Sequence, residues 1–461
     1  MTKNLFAPTD MTKGVPWKSI LTFTLPMLIG NIAQQLYSTV DTIVVGQYAE
    51  NGDNAIAAVG SALPIINMLL VLFIGISAGA SVMVAQYFGA KNREGLSYTV
   101  GNCITVTAIA CVGLIAVASP FLRQVLELLN TPADIFEGCY DYLFISLVGI
   151  AGMAYYNILS GIIRGLGDSV SALIYLLVAT VVNIVLDIYF VASLKMDVAG
   201  VALATVISQS ISSVLCLIKL SRMRDMFDFG IKFLKPKALY VKTIVKLGLP
   251  SGLTQAIFSS AMIIVQSLTN SFGPQFIAAN VVVMRVDGFA MMPNFSFGTA
   301  LTTYAGQTVG AGRYDRVTKG AKQGTLMAVA CSAVITAVIL LFGKGLMGVF
   351  TDTASLVDKS YSLMLILAVG YIAMAVTQSL SGIMRGAGDT MTPMWISLMT
   401  SVFARIPLAY GIAYFTSPTG KPADGMEECI QISLLCTWVL GAVLTFIFYR
   451  IGKWKTKAIK Q

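Results

Sequence analysis

The sequence predicts an all-α polytopic membrane protein, with twelve transmembrane helices in two six-helix lobes related by a parallel pseudo-twofold repeat. Three observations predict it. The 461 residues are 56% hydrophobic and 11% charged, with a mean hydropathy of +0.78, whereas soluble domains carry about 25% charged residues. Twelve apolar stretches approach or exceed the roughly 20 residues that a helix needs to cross a bilayer. Segments of the first half also recur in the second.

The twelve stretches fall at 17–46, 55–88, 96–119, 136–162, 169–193, 198–220, 241–272, 276–304, 317–343, 357–383, 391–416 and 428–450. Several are longer than the bilayer is thick, so tilt is expected. Pro26 in the first and Pro293 in the eighth are expected bending points, because proline removes a backbone donor. The polar start, MTKNLFAPTDMTKGVPWKS, lacks the features of a cleavable signal, and the first span is expected to act as an uncleaved anchor.

The net charge of +9 is unevenly placed. With the N-terminus in the cytoplasm, the inside loops hold Lys91, Arg93, Arg164, eight basic residues between Lys219 and Lys246, Arg313, Arg316, Lys319, Lys322, Arg385 and the basic tail. The outside loops hold Arg123, Lys195, Lys344, Lys359 and Lys421. This is the positive-inside pattern, with both termini cytoplasmic in the cytoplasmic (inner) membrane. The basic excess is therefore a topology signal, and no nucleic-acid partner is expected.

LSGIIRGLGD at 159–168 recurs as LSGIMRGAGD at 380–389, an offset of 221 residues. AQYFGA at 85–90 recurs loosely as GQTVGA at 306–311. The expected domains are an N-lobe at 1–220, a basic cytoplasmic linker at 221–240 and a C-lobe at 241–461. Six helices per repeat is an even number, so equivalent helices run the same way, as in parallel-repeat transporters. In the RGxGD turns, glycine permits the sharp reversal, and Asp168 or Asp389 is placed to cap the next helix.

Composition removes several chemistries. There is no histidine, so imidazole acid–base work and histidine metal sites are absent. The seven cysteines are scattered through apolar runs and read as free thiols, with no disulfide framework or zinc site. No nucleophile–base set is visible, so an enzyme is not expected, and no cofactor is expected.

The remaining chemistry lies in charges within the spans: Asp41, Asp187, Arg285, Asp287 and Arg405. An ionised aspartate at the centre of a membrane helix costs roughly 2.5–3.5 kcal/mol on insertion scales. Such residues are functional candidates by default. Asp41 shares a helix face with Gln34 and Tyr37, and Asp187 lies one turn after Asn183. Thr205 in the sixth span and Asn157 in the fourth are candidate neutral oxygen ligands. Two carboxylates with such oxygens suit a sodium ion or a proton shared between acids. The counterparts of Asn183 and Asp187 in the second half are Ala404 and Leu408, and Asp41 falls on Val265, so the acids are confined to one half. Arg285 and Asp287 lie two apart and point to different faces; Asp287 is expected to neutralise an arginine. Gln266, beside the counterpart of Asp41, joins Met291, Met292 and Phe295 as candidate lining of a substrate cleft, although ordinary packing explains the methionines equally well.

With these residues on the page, the chain resembles the multidrug and toxic compound extrusion (MATE) family over essentially its full length. The resemblance rests on the twelve helices, the LP pairs at Pro26 and Pro250, and the paired RGxGD turns. Asp41, Asn183 and Asp187, with Asn157 and Thr205, match the N-lobe cation site of the DinF-like and archaeal members. By the same resemblance, Gln34, Tyr37 and Tyr142 border that site. NorM-type members carry acids in the seventh and tenth helices; this chain has none there, so a C-lobe cation site of that type is not expected. The resemblance implies a monomer that exports amphipathic organic cations in exchange for H+ or Na+. The alternative is a lipid-linked oligosaccharide flippase of the same superfamily.

Overall fold

The computed structural model describes residues 8–49, 52–129 and 131–459; the side chains at 37, 38, 42 and 53 also lie outside the described residues. The described residues are mostly helical, without strands. Among the described residues, nine helices are long and apolar enough to cross a membrane, two bent helix pairs add two further crossings, and a 33-residue helix at Pro16–Tyr48 completes twelve. We number the spans α1 (Pro16–Tyr48), α2 (Gly52–Gly89), α3 (Arg93–Ala118, extended by a short turn to Leu128) and α4 (Ala133–Val148 with Ile150–Gly165). Then come α5 (Ser169–Asp187), α6 (Asp197–Arg222), α7 (Ala238–Ser271) and α8 (Pro274–Gly310). The last are α9 (Tyr314–Gly348), α10 (Ala354–Ala368 with Gly370–Gly386), α11 (Met391–Thr416) and α12 (Cys429–Ile451).

The chain forms two compact units, one built on Leu25–Gly252, the other on Met11–Thr24 together with Leu253–Lys460. The division falls inside α1 and α7, so each of these helices contributes its first turns to one unit and its remainder to the other. The basic segment between α6 and α7 belongs to the first unit. Asn102 of α3 donates to the carbonyls of Phe233 and Lys235 and accepts the Lys237 N–H at 2.7 Å. Arg93 pairs with Asp228, and Phe233 packs edge-on against Tyr98. The segment is therefore strapped along a helix.

Met11–Thr24 is held with equal care in the second unit. Arg316 donates to the carbonyls of Met11, Lys13 and Gly14, and Gln307 accepts the Met11 N–H at 2.9 Å. These bonds account for a guanidinium that is buried with no ion pair among the described residues: backbone oxygens satisfy its donors.

The repeat is physical as well as sequential. α4 bends by 52° at Gly149 and α10 by 46° at Val369, next to Gly370, which lies 221 residues after Gly149. A Cβ on Gly149 would meet Val206, and one on Gly370 would meet Trp438. Each glycine thus opens the bend to a neighbouring helix's side chain. The prolines expected to bend their helices do not interrupt them: the helical hydrogen-bond pattern runs on through Pro26 and Pro293. The RGxGD turns also recur. Gly167 and Gly388 take φ of 91° and 96°. Asp168 accepts the Ser171 N–H at 2.9 Å, and Asp389 accepts the Thr392 N–H at 3.3 Å.

Candidate functional site

In the first unit, α1 and α5 bring Asp41, Asn183 and Asp187 together. The Asn183 amide takes the orientation that satisfies both its ends. Its nitrogen then donates to Asp41 Oδ1 at 2.9 Å and to Asp187 Oδ2 at 3.0 Å. Its carbonyl end faces Thr205 Oγ1 of α6 at 3.5 Å, so the threonine hydroxyl serves as donor there. Asn183 and Asp187 are fully buried and Thr205 is nearly so. The two carboxyl groups lie within electrostatic reach of each other, and among the described residues Asp187 Oδ1 is buried and accepts no hydrogen bond. One amide nitrogen therefore serves two acids, and one buried carboxyl oxygen accepts no hydrogen bond among the described residues. Such an oxygen is costly unless something positive reaches it.

The local fold explains the arrangement. Asp168 caps α5, and the helix stays regular for 19 residues, which stacks Asn183 over Asp187. Directly after Asp187, the chain widens into a π-helical turn at Ile188–Ser193. Such turns occur often at functional sites, because the widened spiral frees backbone and re-aims side chains.

Other expected residues are distributed less evenly. Tyr142, in the first half of α4, is buried within electrostatic reach of both Asp41 and Asp187. Asn157, in the second half of α4, turns its amide nitrogen onto the Met153 carbonyl of its own helix at 2.8 Å. Gln34 is exposed on α1. The Tyr37 side chain lies outside the described residues.

In the second unit, a cavity of about 80 Å³ is lined by residues of α7, α8, α10, α11 and α12. Gln266 belongs to its wall. Met291 and Met292 do not: both are buried in helix packing, Met291 within the unit's apolar core. Phe295 is exposed. The expected pairing of Asp287 with an arginine is absent among the described residues. Asp287 accepts the Tyr371 hydroxyl at 2.9 Å, Arg405 lies within electrostatic reach but beyond the 4.0 Å of an ion pair, and Arg285 is exposed. Arg405 opens the last helical segment of α11, directly after a second π-helical turn at Met399–Ala404. The sequence reading missed Tyr371, Asn280 and Gln431. Their one available signal was an amide or phenol inside an otherwise apolar run.

Comparison with known proteins bears on what these units are. The family profile described as MatE matches residues 26–189 and 250–411, one block in each half. The chain is 27% identical to "Probable multidrug resistance protein YoeA" of Bacillus subtilis (strain 168), over 96% of both chains. It is 24% identical to "Probable multidrug resistance protein NorM" of Thermotoga maritima, over 96% of this chain and 94% of that protein. Among solved structures, an outward-facing multidrug resistance MATE family transporter of the MOP superfamily matches with a TM-score of 0.89 at 22% identity over the full length of both. That likeness carries the fold. With both halves matched by the profile, the chain belongs to the MatE family of membrane transporters.

Proposed function

We propose that this transporter is an efflux antiporter that exports amphipathic organic cations in exchange for H+ or Na+. The observation that carries the proposal is the Asn183 amide bridging Asp41 and Asp187, with Asp187 Oδ1 accepting no hydrogen bond among the described residues. Relatives described as multidrug resistance proteins support the substrate class.

The chemistry follows from the acids. Two interacting buried carboxyls bind a proton or a sodium ion because it relieves their repulsion and supplies the missing partner of Asp187. Thr205 and Asn157 add neutral oxygens, and Tyr142 a phenol; by helical spacing Gln34 and Tyr37 precede Asp41 by seven and four residues. With the cation bound, the site carries one negative charge fewer and its attraction for a cationic substrate weakens. With the cation gone, the attraction returns. Exchange needs that differential affinity between two states, and the acids provide it. One chain contains the whole set, so a monomer is the working unit. The basic loops orient it with both termini in the cytoplasm.

The test is ethidium efflux from proteoliposomes under an imposed proton gradient and, separately, a sodium gradient. Wild type should respond to one gradient and Asp187→Asn to neither. Efflux of equal rate in Asp187→Asn would end the proposal.

A further inference from the structure

The second-unit cavity contains an arrangement that cation coupling does not use. Arg405 is 5% exposed, yet its guanidinium makes no hydrogen bond among the described residues. Its Nε is fully enclosed and has no partner. Across the cavity, Gln431 is 2% exposed. Its amide nitrogen donates to Asn280 Oδ1 at 2.9 Å, and its Oε1 is enclosed without a partner. Both orphans line the same space as Asp287. The rest of the wall is apolar, including Met262, Val283 and Leu434.

A buried guanidinium without a hydrogen bond is an expensive thing to keep. Its planar fork of donors matches the paired oxygens of a carboxylate or a phosphate. A simple anion would satisfy Arg405 but would meet Asp287 and leave Gln431 Oε1 without a donor. A carboxylate with an ammonium beside it satisfies all three. The carboxylate takes the Arg405 donors, and the ammonium donates to Gln431 Oε1 and faces Asp287. One water needs roughly 10–15 Å³ of space of this kind, so a cavity of about 80 Å³ has room for an end group of several heavy atoms, bordered by an apolar wall.

We infer that Arg405, Gln431 and Asp287 form a second ligand site, specific for the zwitterionic amino-carboxylate end of an apolar compound. The site lies within the second unit, and its occupancy does not depend on the Asp41–Asp187 pair.

The test is calorimetric titration of the purified full chain in lipid nanodiscs with three probes of one skeleton. L-phenylalanine carries both charges, 3-phenylpropionate the carboxylate only, and phenethylamine the ammonium only. Wild type should bind L-phenylalanine, bind 3-phenylpropionate roughly tenfold more weakly, and show no heat with phenethylamine, since a charged hydrogen bond contributes about 1.5–3 kcal/mol. Arg405→Gln should weaken L-phenylalanine by roughly tenfold or more. Gln431→Leu, which keeps the guanidinium, should weaken L-phenylalanine and leave 3-phenylpropionate unchanged. Three results would overturn the inference: no heat from L-phenylalanine with wild type, which would leave the cavity to water; phenethylamine binding as tightly as L-phenylalanine; or affinity for L-phenylalanine unaltered in both variants.

Discussion

Asn183 on α5 holds Asp41 of α1 at 2.9 Å while holding Asp187, one turn along its own helix, at 3.0 Å. A single amide thus ties together two buried acids from helices far apart in the sequence. Substituting Asn183 by leucine removes the shared donor and leaves two carboxyls facing each other. Each buried group so orphaned costs about 1–3 kcal/mol. Asn183→Leu should therefore slow gradient-driven ethidium efflux by roughly tenfold or more, measured in proteoliposomes at matched protein content.

Asp168 links the turn to the site, because it caps the helix that carries Asn183 and Asp187. It accepts from the Ser171 N–H and hydroxyl and pairs with Lys219 of α6 at 3.2 Å. Losing such a cap costs about 0.5–2 kcal/mol. Asp168→Ala should lower the thermal unfolding midpoint in detergent, and Lys219→Ala should lower it less, since the cap survives.

Lys91 sits at φ 56°, and its counterpart 221 residues on, Gly312, sits at φ 71°. A side chain in this left-handed region costs roughly 1–2 kcal/mol, against the 0.5–1 kcal/mol that glycine loses in chain entropy. Lys91→Gly should leave the protein as stable or raise its midpoint slightly. Gly312→Lys should lower it.

Gly382 lies where a Cβ would sit 2.3 Å from the Gly298 carbonyl oxygen, so α8 and α10 touch backbone to backbone. Overpacking of this kind typically costs about 1–3 kcal/mol. Gly382→Val should cut the monodisperse yield on size-exclusion chromatography, while Gly345→Val, where a Cβ meets open space, should not.

Asp228 lies in the basic segment after α6, where the hydrogen bond from Arg93 holds its carboxyl below the usual carboxylate range. A depressed carboxylate stabilises the fold above its unfolded pKa and loses that contribution as pH falls through the folded one. The strap should therefore hold at neutral pH and loosen only in strong acid. Asp228→Asn should loosen it at neutral pH, seen as faster tryptic cleavage at Lys232 and Lys237 than in wild type.

How much of this was legible in the sequence depends on the distance over which each signal acts. The fold class was plain from apolar run lengths, and the α5 span was read to its last π-helical residue. Asp41, Asn183 and Asp187 were visible because a polar side chain in an apolar run is conspicuous and the helical period places it on a face. The orientation of Asn157 was not legible, because its amide chooses its own helix's carbonyl, a choice made by packing. The breaks in α4 and α10 were not legible for a similar reason: Gly149 and Gly370 lie against Val206 and Trp438 of other helices, contacts made only in the folded chain. Arg316 read as a topology charge, and only tertiary structure shows it gripping the chain's own start.

The central claim is that one coupling cation and a cationic substrate exclude each other through Asp41 and Asp187. The most direct measurement is cation release from purified, weakly buffered protein on addition of ethidium, followed with a pH indicator and, separately, a sodium electrode. The account predicts that wild type releases H+ or Na+ in proportion to ethidium bound, and that Asp187→Asn releases neither. Ethidium binding to wild type without release of either ion, or equal release from Asp187→Asn, would contradict it.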